Sequence, residues 1–217
     1  MEPDKRGQDS TDGKSDPVVT FELATWLLPA LSPLLRARRI ELNLMIEDEA
    51  RTLDRLRSGE VVGAISMEST PMPGCVADYL GRVDFLCVAS PSFADKYFAG
   101  GVNRDTLLAA PGVTFDHHDD MHERFIHQHF NLPFGCVMKH TVRSSEAFVR
   151  MAVEGIAYCL IPRIQIQQEL DSGLLVNLTR DIFPARRMYW HHWALESGVL
   201  SDLSEQLAQY AGKVPPQ

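Results

Sequence analysis

Along residues 17–66 the apolar positions change their spacing repeatedly, and each change predicts a new element. Val18–Phe21 is a short apolar run suited to a strand. From Glu22 to Arg38, Leu23, Trp26, Leu27, Leu31, Leu34 and Leu35 recur at helical spacing, with Pro29 and Pro33 predicted to kink or break the helix. Ile40–Ile46 alternates apolar and polar residues and predicts a strand. Asp48 is placed to cap a helix over Glu49–Ser58 that stops at Gly59. Val61–Ile65 is apolar throughout, as in a strand buried on both faces. The order β-α-β-α-β predicts a parallel sheet with right-handed crossovers and a ligand site beyond the carboxyl ends of its strands.

The middle of the chain predicts two strands, Cys75–Leu80 and Asp84–Ala89, then helices over Pro91–Phe98 and Arg104–Ala109. The alternation then restarts. Val113–Phe115 reads as a strand and Met121–Phe130 as a helix capped by Asp119 and Asp120. Val137–Val142 is a strand, followed by a helix over Ser144–Glu154 that Ser144 caps and Gly155 stops. Ile156–Ile161 predicts a strand, Ile164–Leu170 a helix, and Leu174–Leu178 and Met188–Ala194 two more strands. On the last of these, strand alternation places His191 and His192 on opposite faces, with one of them exposed. Ser201 opens a final amphipathic helix through Leu203, Leu207 and Tyr210. Two such blocks in series imply two similar lobes, the chain's tail returning to complete the first, with a cleft between them.

Composition narrows the function classes. The formal net charge is −8, which repels phosphate and favours small cationic ligands over nucleic acid. Residues 1–16 are almost wholly polar and are expected to be a disordered tail. The start lacks the apolar core of a signal peptide and no run is long enough for a membrane span, so a soluble cytoplasmic protein is expected. Cys75, Cys87, Cys136 and Cys159 form no CxxC pair and are expected to be buried free thiols. His117, His118, His122, His127 and His129 crowd one segment, but His122 and His127 are five residues apart. On a helix that is a rotation of about 500°, which leaves them roughly 140° apart and unable to share one metal; a solvated helix face is expected instead. GxSxG, P-loop and GxGxxG motifs are absent, so no enzyme and no cofactor is expected.

Several segments together carry a resemblance. They are Leu23-Ala24-Thr25-Trp26-Leu27-Leu28-Pro29-Ala30-Leu31, Glu47-Asp48-Glu49-Ala50-Arg51-Thr52 and Leu56-Arg57-Ser58-Gly59-Glu60-Val61-Val62-Gly63-Ala64. Later ones are Phe115-Asp116-His117-His118-Asp119-Asp120-Met121-His122, Ser144-Ser145-Glu146-Ala147-Phe148-Val149 and Met188-Tyr189-Trp190-His191. From about residue 22 onward the chain resembles the effector-binding domain of LysR-type transcription regulators of the arginine- and lysine-responsive group. The resemblance implies an α/β fold with two Rossmann-like lobes of the periplasmic-binding-protein type and an interlobe cleft. Lobe I would be 17–88 plus 189–214, and lobe II 89–188. It implies a lysine or arginine effector and dimers; the first helix and Ile40–Ile46, whose apolar positions exceed what one face needs, are the candidate surfaces for a homodimer, or for a mixed dimer with a full-length regulator. DNA would be reached only through a winged helix-turn-helix, which this chain lacks, and a truncated gene product is therefore expected. Where the family has an Asn-Ala-Asp-Ser-like stretch, this chain has Val19-Thr20-Phe21-Glu22, and Glu22 would repel a ligand carboxylate at the start of the first helix.

A cationic amino acid needs donors for its carboxylate, acceptors for its ammonium and an acid for its side chain. Ser144 and Ser145, opening a helix, are the candidate carboxylate binders. Asp116, at the end of the strand Val113–Phe115, is the candidate partner of the cation, with loop capping as the alternative. Ser66 and Glu68 lie at the equivalent edge of the first lobe; Asp48 and Glu22 complete the candidate set, Asp48 more as a helix cap than a contact. Two other functions remain open on this reading: a solute-binding protein for transport and a metal-dependent enzyme built on the histidine segment.

Overall fold

The computed structural model describes residues 18–20, 24–37, 43–45, 49–116, 119–195 and 198–211. The polar tail, Glu22, Ile40, Asp48, His117 and His118 lie outside the described residues.

Three strands, β1 (Val18–Thr20), β2 (Asn43–Met45) and β3 (Gly63–Ser66), pair in parallel with β1 in the middle. The crossovers are α1 (Ala24–Ala37) and α2 (Glu49–Ser58). The chain then runs through β4 (Cys75–Ala89), α3 (Pro91–Phe98), α4 (Arg104–Ala109), β5 (Gly112–Thr114), α5 (Met121–Phe130), β6 (Lys139–Thr141) and α6 (Ser145–Val153). After β7 (Cys159–Pro162), a 3-10 turn (Arg163–Gln165), α7 (Gln167–Asp171) and β8 (Val176–Asn177), the chain returns as β9 (Ala185–Trp193) and closes with α8 (Val199–Ala211).

β4 joins the two halves. From Cys75 to Asp84 it pairs antiparallel with β9, which in turn pairs antiparallel with β3. From Phe85 to Val88 its partner is β7, and Val88 and Ala89 also meet β8. β5 and β6 form a parallel pair that Gly112 connects to Tyr158 at the foot of β7. The result is two α/β lobes on either side of one long shared strand.

The two strands expected at Cys75–Leu80 and Asp84–Ala89 are thus one. Gly81-Arg82 reads as a break in the sequence, but Gly81, at φ 132°, makes an irregularity in the ladder with β9 rather than a turn. α1 likewise runs through Pro29 and Pro33 without interruption, against the expected break. Its Leu31 is fully buried against Ile65, Phe85, Trp190 and Leu207, and such burial offsets poor intrinsic propensity.

β4 beyond Phe85 shows why its sequence is apolar at every position. Leu86 and Val88 pack on one face with Phe148 and Ile161, while Cys87 and Ala89 pack on the other with Phe125 and Tyr158. Both faces are covered, so alternation disappears. The same rule corrects the expectation for β9: Trp190, His191 and His192 are all buried, His191 under the loop that carries the Glu68 carbonyl and His192 stacked on Trp190 on the other face. Cys87 and Cys159 are buried, but Cys75 and Cys136 are only partly so, and all four are free thiols. Among the described residues, no helix is long and apolar enough to cross a membrane.

Candidate ligand site

The carboxyl end of β5, the starts of α5 and α6 and the 3-10 turn after β7 converge at the face of the second lobe that looks toward the first. Asp119 organises this corner. Its Oδ2 accepts from the Phe115 N–H (2.9 Å) and from Thr114 Oγ1 (3.1 Å), and its Oδ1 accepts from the Met121 N–H (3.1 Å). One carboxylate therefore ties the end of β5 to the start of α5. Asp120, expected to share the capping, makes no side-chain cap and pairs instead with Arg124 (2.6 Å). Asp119→Ala is expected to cost about 2–3 kcal/mol, the worth of losing charge-assisted bonds to otherwise unsatisfied N–H groups. Amide exchange should accelerate at Phe115 and Met121; unchanged exchange at both would refute this role.

Asp116 lies half-buried just beyond β5, accepting from the Asp119 N–H (3.2 Å), with Arg143 Nε 4.0 Å from its Oδ2. The Arg143 guanidinium also sits over the Phe115 ring, 5.8 Å from its centre. Next in sequence, Ser144 is the N-cap of α6, its Oγ accepting from the Ala147 N–H (3.2 Å). The Ser144 and Ser145 hydroxyls both donate to Glu146 Oε2, at 3.0 and 3.4 Å. The protein's own carboxylate thus occupies the position in which a ligand carboxylate would meet these hydroxyls.

Two hollows open here and share Asp119. The first is a mostly apolar cavity of about 70 Å³, walled by Phe115, Phe148 and Pro162 and edged by Ser145, His122 and Gln165. The second is a wider polar depression of about 330 Å³, lined by Asp116, Asp120, Glu123 and Lys139 among others. Glu123 is buried and pairs with Lys139, and it accepts from the Gly135 N–H at 3.0 Å. Burial alone would raise the Glu123 pKa, but the Lys139 and Gly135 hydrogen bonds outweigh it and hold the carboxyl below its ordinary value.

His122 is buried rather than solvated, its Nε2 2.9 Å from Tyr158 Oη. Burial, aided by the Lys139 charge, pushes its pKa down to about 4, so the ring is neutral near pH 7. His127, about 140° round the helix from His122, is exposed, and so is His129 in the last turn. Among the described residues, no group of three or more His, Cys, Asp or Glu side chains could hold a metal ion.

Of the residues proposed from sequence, Asp116 and Ser145 line adjoining hollows, and Ser144 stands beside Ser145 at the same helix start. Ser66 and Glu68 line neither hollow. The buried Ser66 hydroxyl accepts from the Glu68 N–H (3.1 Å), and the exposed Glu68 carboxylate accepts from the Thr70 N–H (2.9 Å). That bond holds the Glu68 pKa below its ordinary value. The Glu68 carbonyl lies 2.7 Å from Nε2 of the buried His191, so this loop is anchored on β9. Asp119 was expected only as a cap of the helix at Met121, which it is, and His122 only as one of a solvated histidine face; Arg143 and Gln165 were not singled out from sequence. Arg143 carried a readable signal, a cation directly before a serine N-cap; the places of His122 and Gln165 come only through folding.

The sequence profile of the LysR substrate binding domain matches residues 18–212. The chain is a LysR substrate-binding domain. Among characterised regulators it is similar to ArgP proteins. It is 72% identical over 195 residues to the HTH-type transcriptional regulator ArgP of Photobacterium profundum, a match that covers 90% of this chain and 65% of that relative. The domain thus spans about two thirds of the relative's length. Its fold is similar to the C-terminal domains of a LysR family protein from Agrobacterium tumefaciens str. C58, with a TM-score of 0.84 and 27% identity over 92% of this chain and 97% of that one. It is also similar to the full-length LysR-type regulator LysG of Corynebacterium glutamicum with bound effector Arg, at a TM-score of 0.80 and 30% identity, covering 91% of this chain and 68% of that one. These likenesses establish the two-lobed, periplasmic-binding-like architecture of the LysR substrate-binding domain.

Proposed function

We propose that this LysR substrate-binding domain senses a small cationic amino acid, lysine or arginine, and serves as the regulatory part of a transcription factor. The observation that carries this reading is the juxtaposition, at one corner of lobe II, of Asp116 with Arg143, Ser144 and Ser145. An acid and a base with two hydroxyls stand side by side, which suits the opposite charges of an amino acid. The ligand carboxylate would displace Glu146 from the Ser144 and Ser145 hydroxyls and gain Arg143; the α-ammonium would meet Asp116. The net charge of −8 and the acidic lining of the polar depression support a cationic effector. The likeness to LysG with bound effector Arg supports it further. Contributions from Ser66, Glu68, Asp48 and Glu22 at the lobe I side belong to the same proposal.

The lobe limits 17–88 with 189–214, and 89–188, are supported by the change of β4's partner from β9 to β7 at Phe85. In the whole regulator, DNA contacts belong to the part of the relatives that this chain does not span. Dimerisation through α1 and the neighbouring β2 edge, in the cytoplasm, completes the proposal, and the exposed Leu28 on α1 supports that surface.

Calorimetric titration with lysine, arginine and alanine tests the reading. Heat of binding is expected for lysine or arginine and not for alanine. Asp116→Asn should weaken the binding by about tenfold or more, the value of one charge-assisted contact. Equal binding of alanine, or no binding of either cationic amino acid, would remove the proposal.

A further inference from the structure

Two buried polar atoms near the site have no hydrogen-bond partner among the described residues: His122 Nδ1 and Gln165 Oε1. Leaving such a group unsatisfied costs roughly 1–3 kcal/mol, so each calls for an explanation. Both side chains line the same apolar cavity of about 70 Å³, and Asp119 adds a carboxylate to its wall. The volume exceeds the ~10–15 Å³ that one water requires and falls well short of the roughly 300 Å³ of a pocket for an entire ligand. The chemistry is that of a socket: rings and aliphatic groups for a hydrocarbon stem, with acceptors available for a terminal N–H donor.

The neighbours of these two residues join the lobes. Met121, adjacent to His122, packs against the lobe I core around Trp190 and also against the lobe II core around Phe125. Ile164, adjacent to Gln165, packs against the lobe I core, and the 3-10 turn that carries both touches α1. Resting on the cationic amino-acid reading above, we propose that this cavity receives the far end of the effector's side chain, an alkyl stem bearing an ammonium or guanidinium, and that filling it is relayed to the lobe contact through Met121 and Ile164. A guest N–H at His122 Nδ1 selects the tautomer in which Nε2–H donates to Tyr158 Oη. The Lys139 charge that acts on His122 is already paired with Glu123. The guest ties the start of α5 to the 3-10 turn, and Met121 and Ile164 on these two elements both pack against the lobe I core.

The test uses the full chain with lysine, norleucine and n-butylammonium as probes, read by calorimetry and amide NMR shifts. Norleucine has the stem without the side-chain cation; butylammonium has stem and cation without the amino-acid head. Gln165→Leu is expected to weaken lysine about tenfold or more while leaving norleucine unchanged, and Gln165→Glu to retain lysine binding. Butylammonium should shift the amides of Met121, His122, Ile164 and Gln165 in the unaltered protein. Gln165→Leu should not lower the denaturation midpoint, since the lost oxygen has no partner among the described residues. The proposal is overturned if Gln165→Leu binds lysine as tightly as the unaltered chain, or if butylammonium shifts only residues around Asp116 and Glu146. Butylammonium shifts at the cavity without binding of lysine or arginine would support the socket while removing the amino-acid reading; no response to any probe would overturn both.

Discussion

Gly63→Ala is expected to destabilise the domain by about 3 kcal/mol, the upper part of the range for forcing extra volume into a packed core. A methyl group there would lie 2.1 Å from Cη2 and 2.3 Å from Cζ2 of Trp190. The indole cannot retreat. It is fully buried, its Nε1 donates to Ser204 Oγ of α8 at 2.7 Å, and it packs with Ile65, Phe85 and Leu207. Gly63 faces His192 across the β3–β9 ladder, with Trp190 one diagonal step away on the same face, so the clash follows from strand register. Urea denaturation of Gly63→Ala, Trp190→Phe and the double variant distinguishes close approach from a generic glycine effect. The smaller ring makes room for the methyl group, so the double variant should lose at least about 1 kcal/mol less than the sum of the single losses. Losses additive within about 0.5 kcal/mol would show that the two residues do not compete for space.

The second large effect is a loss of stability in mild acid. His122 is held neutral in the folded protein, its pKa pushed down to about 4 by burial and then by the Lys139 charge. In the unfolded chain the same ring takes up a proton near its ordinary value of about 6.5. Unfolding therefore takes up a proton below that pH, and stability is complete above about 6.5 and declines as the pH falls toward 4. The size of the shift corresponds to roughly 3 kcal/mol across that window. His191, whose pKa is also lowered by burial, acts in the same direction. Glu123 adds a separate loss: its pKa is depressed, so its contribution is present above the ordinary carboxylate value and disappears as pH falls through the depressed one. Denaturant unfolding at pH 7, 6, 5 and 4 should show this decline beginning near 6.5. His122→Gln, which keeps a polar side chain facing Tyr158 without a titrating ring, should flatten it between pH 6.5 and 4. An equally steep decline in that variant would refute the assignment to His122.

The acid effect and the ligand site share residues for a physical reason. α5 begins at the corner where Asp119, Met121, His122 and Glu123 follow one another, and each faces different surroundings: the β5 end, the lobe contact, the cavity, and Lys139. A helix start rotates successive side chains by about 100°, so neighbouring residues reach different directions. His122 Nδ1 and Gln165 Oε1 have no partner among the described residues, and an occupant of the cavity that satisfies them is expected to raise stability.

Much of this was legible in the amino-acid order alone. The first β-α-β-α-β block, the helix at Ser144 with its serine cap, and the second lobe's restart all follow from local spacing and capping chemistry. The LysR resemblance rested on segments that recur in order, and the matching family profile over residues 18–212 agrees with it. Asp116 and Ser145 could be expected near one edge, where they line adjoining hollows, because parallel strands direct their carboxyl ends, and the helices that follow, toward that edge. What periodicity could not reveal was decided by distant contacts. Cys75–Ala89 is one strand because β9, about a hundred residues later, pairs with its first part and β7 with its second. His191 and His192 are both buried because both faces of β9 are covered there, by the loop after β3 on one side and by Trp190 on the other, which alternation cannot show. His122 is neutral because Tyr158 and the second core enclose it, and Gln165 lines the cavity because a 3-10 turn replaces the expected start of a helix. Local spacing records which face of an element is apolar; which neighbour covers that face, and which polar atoms are trapped beneath it, depends on residues far away in the chain.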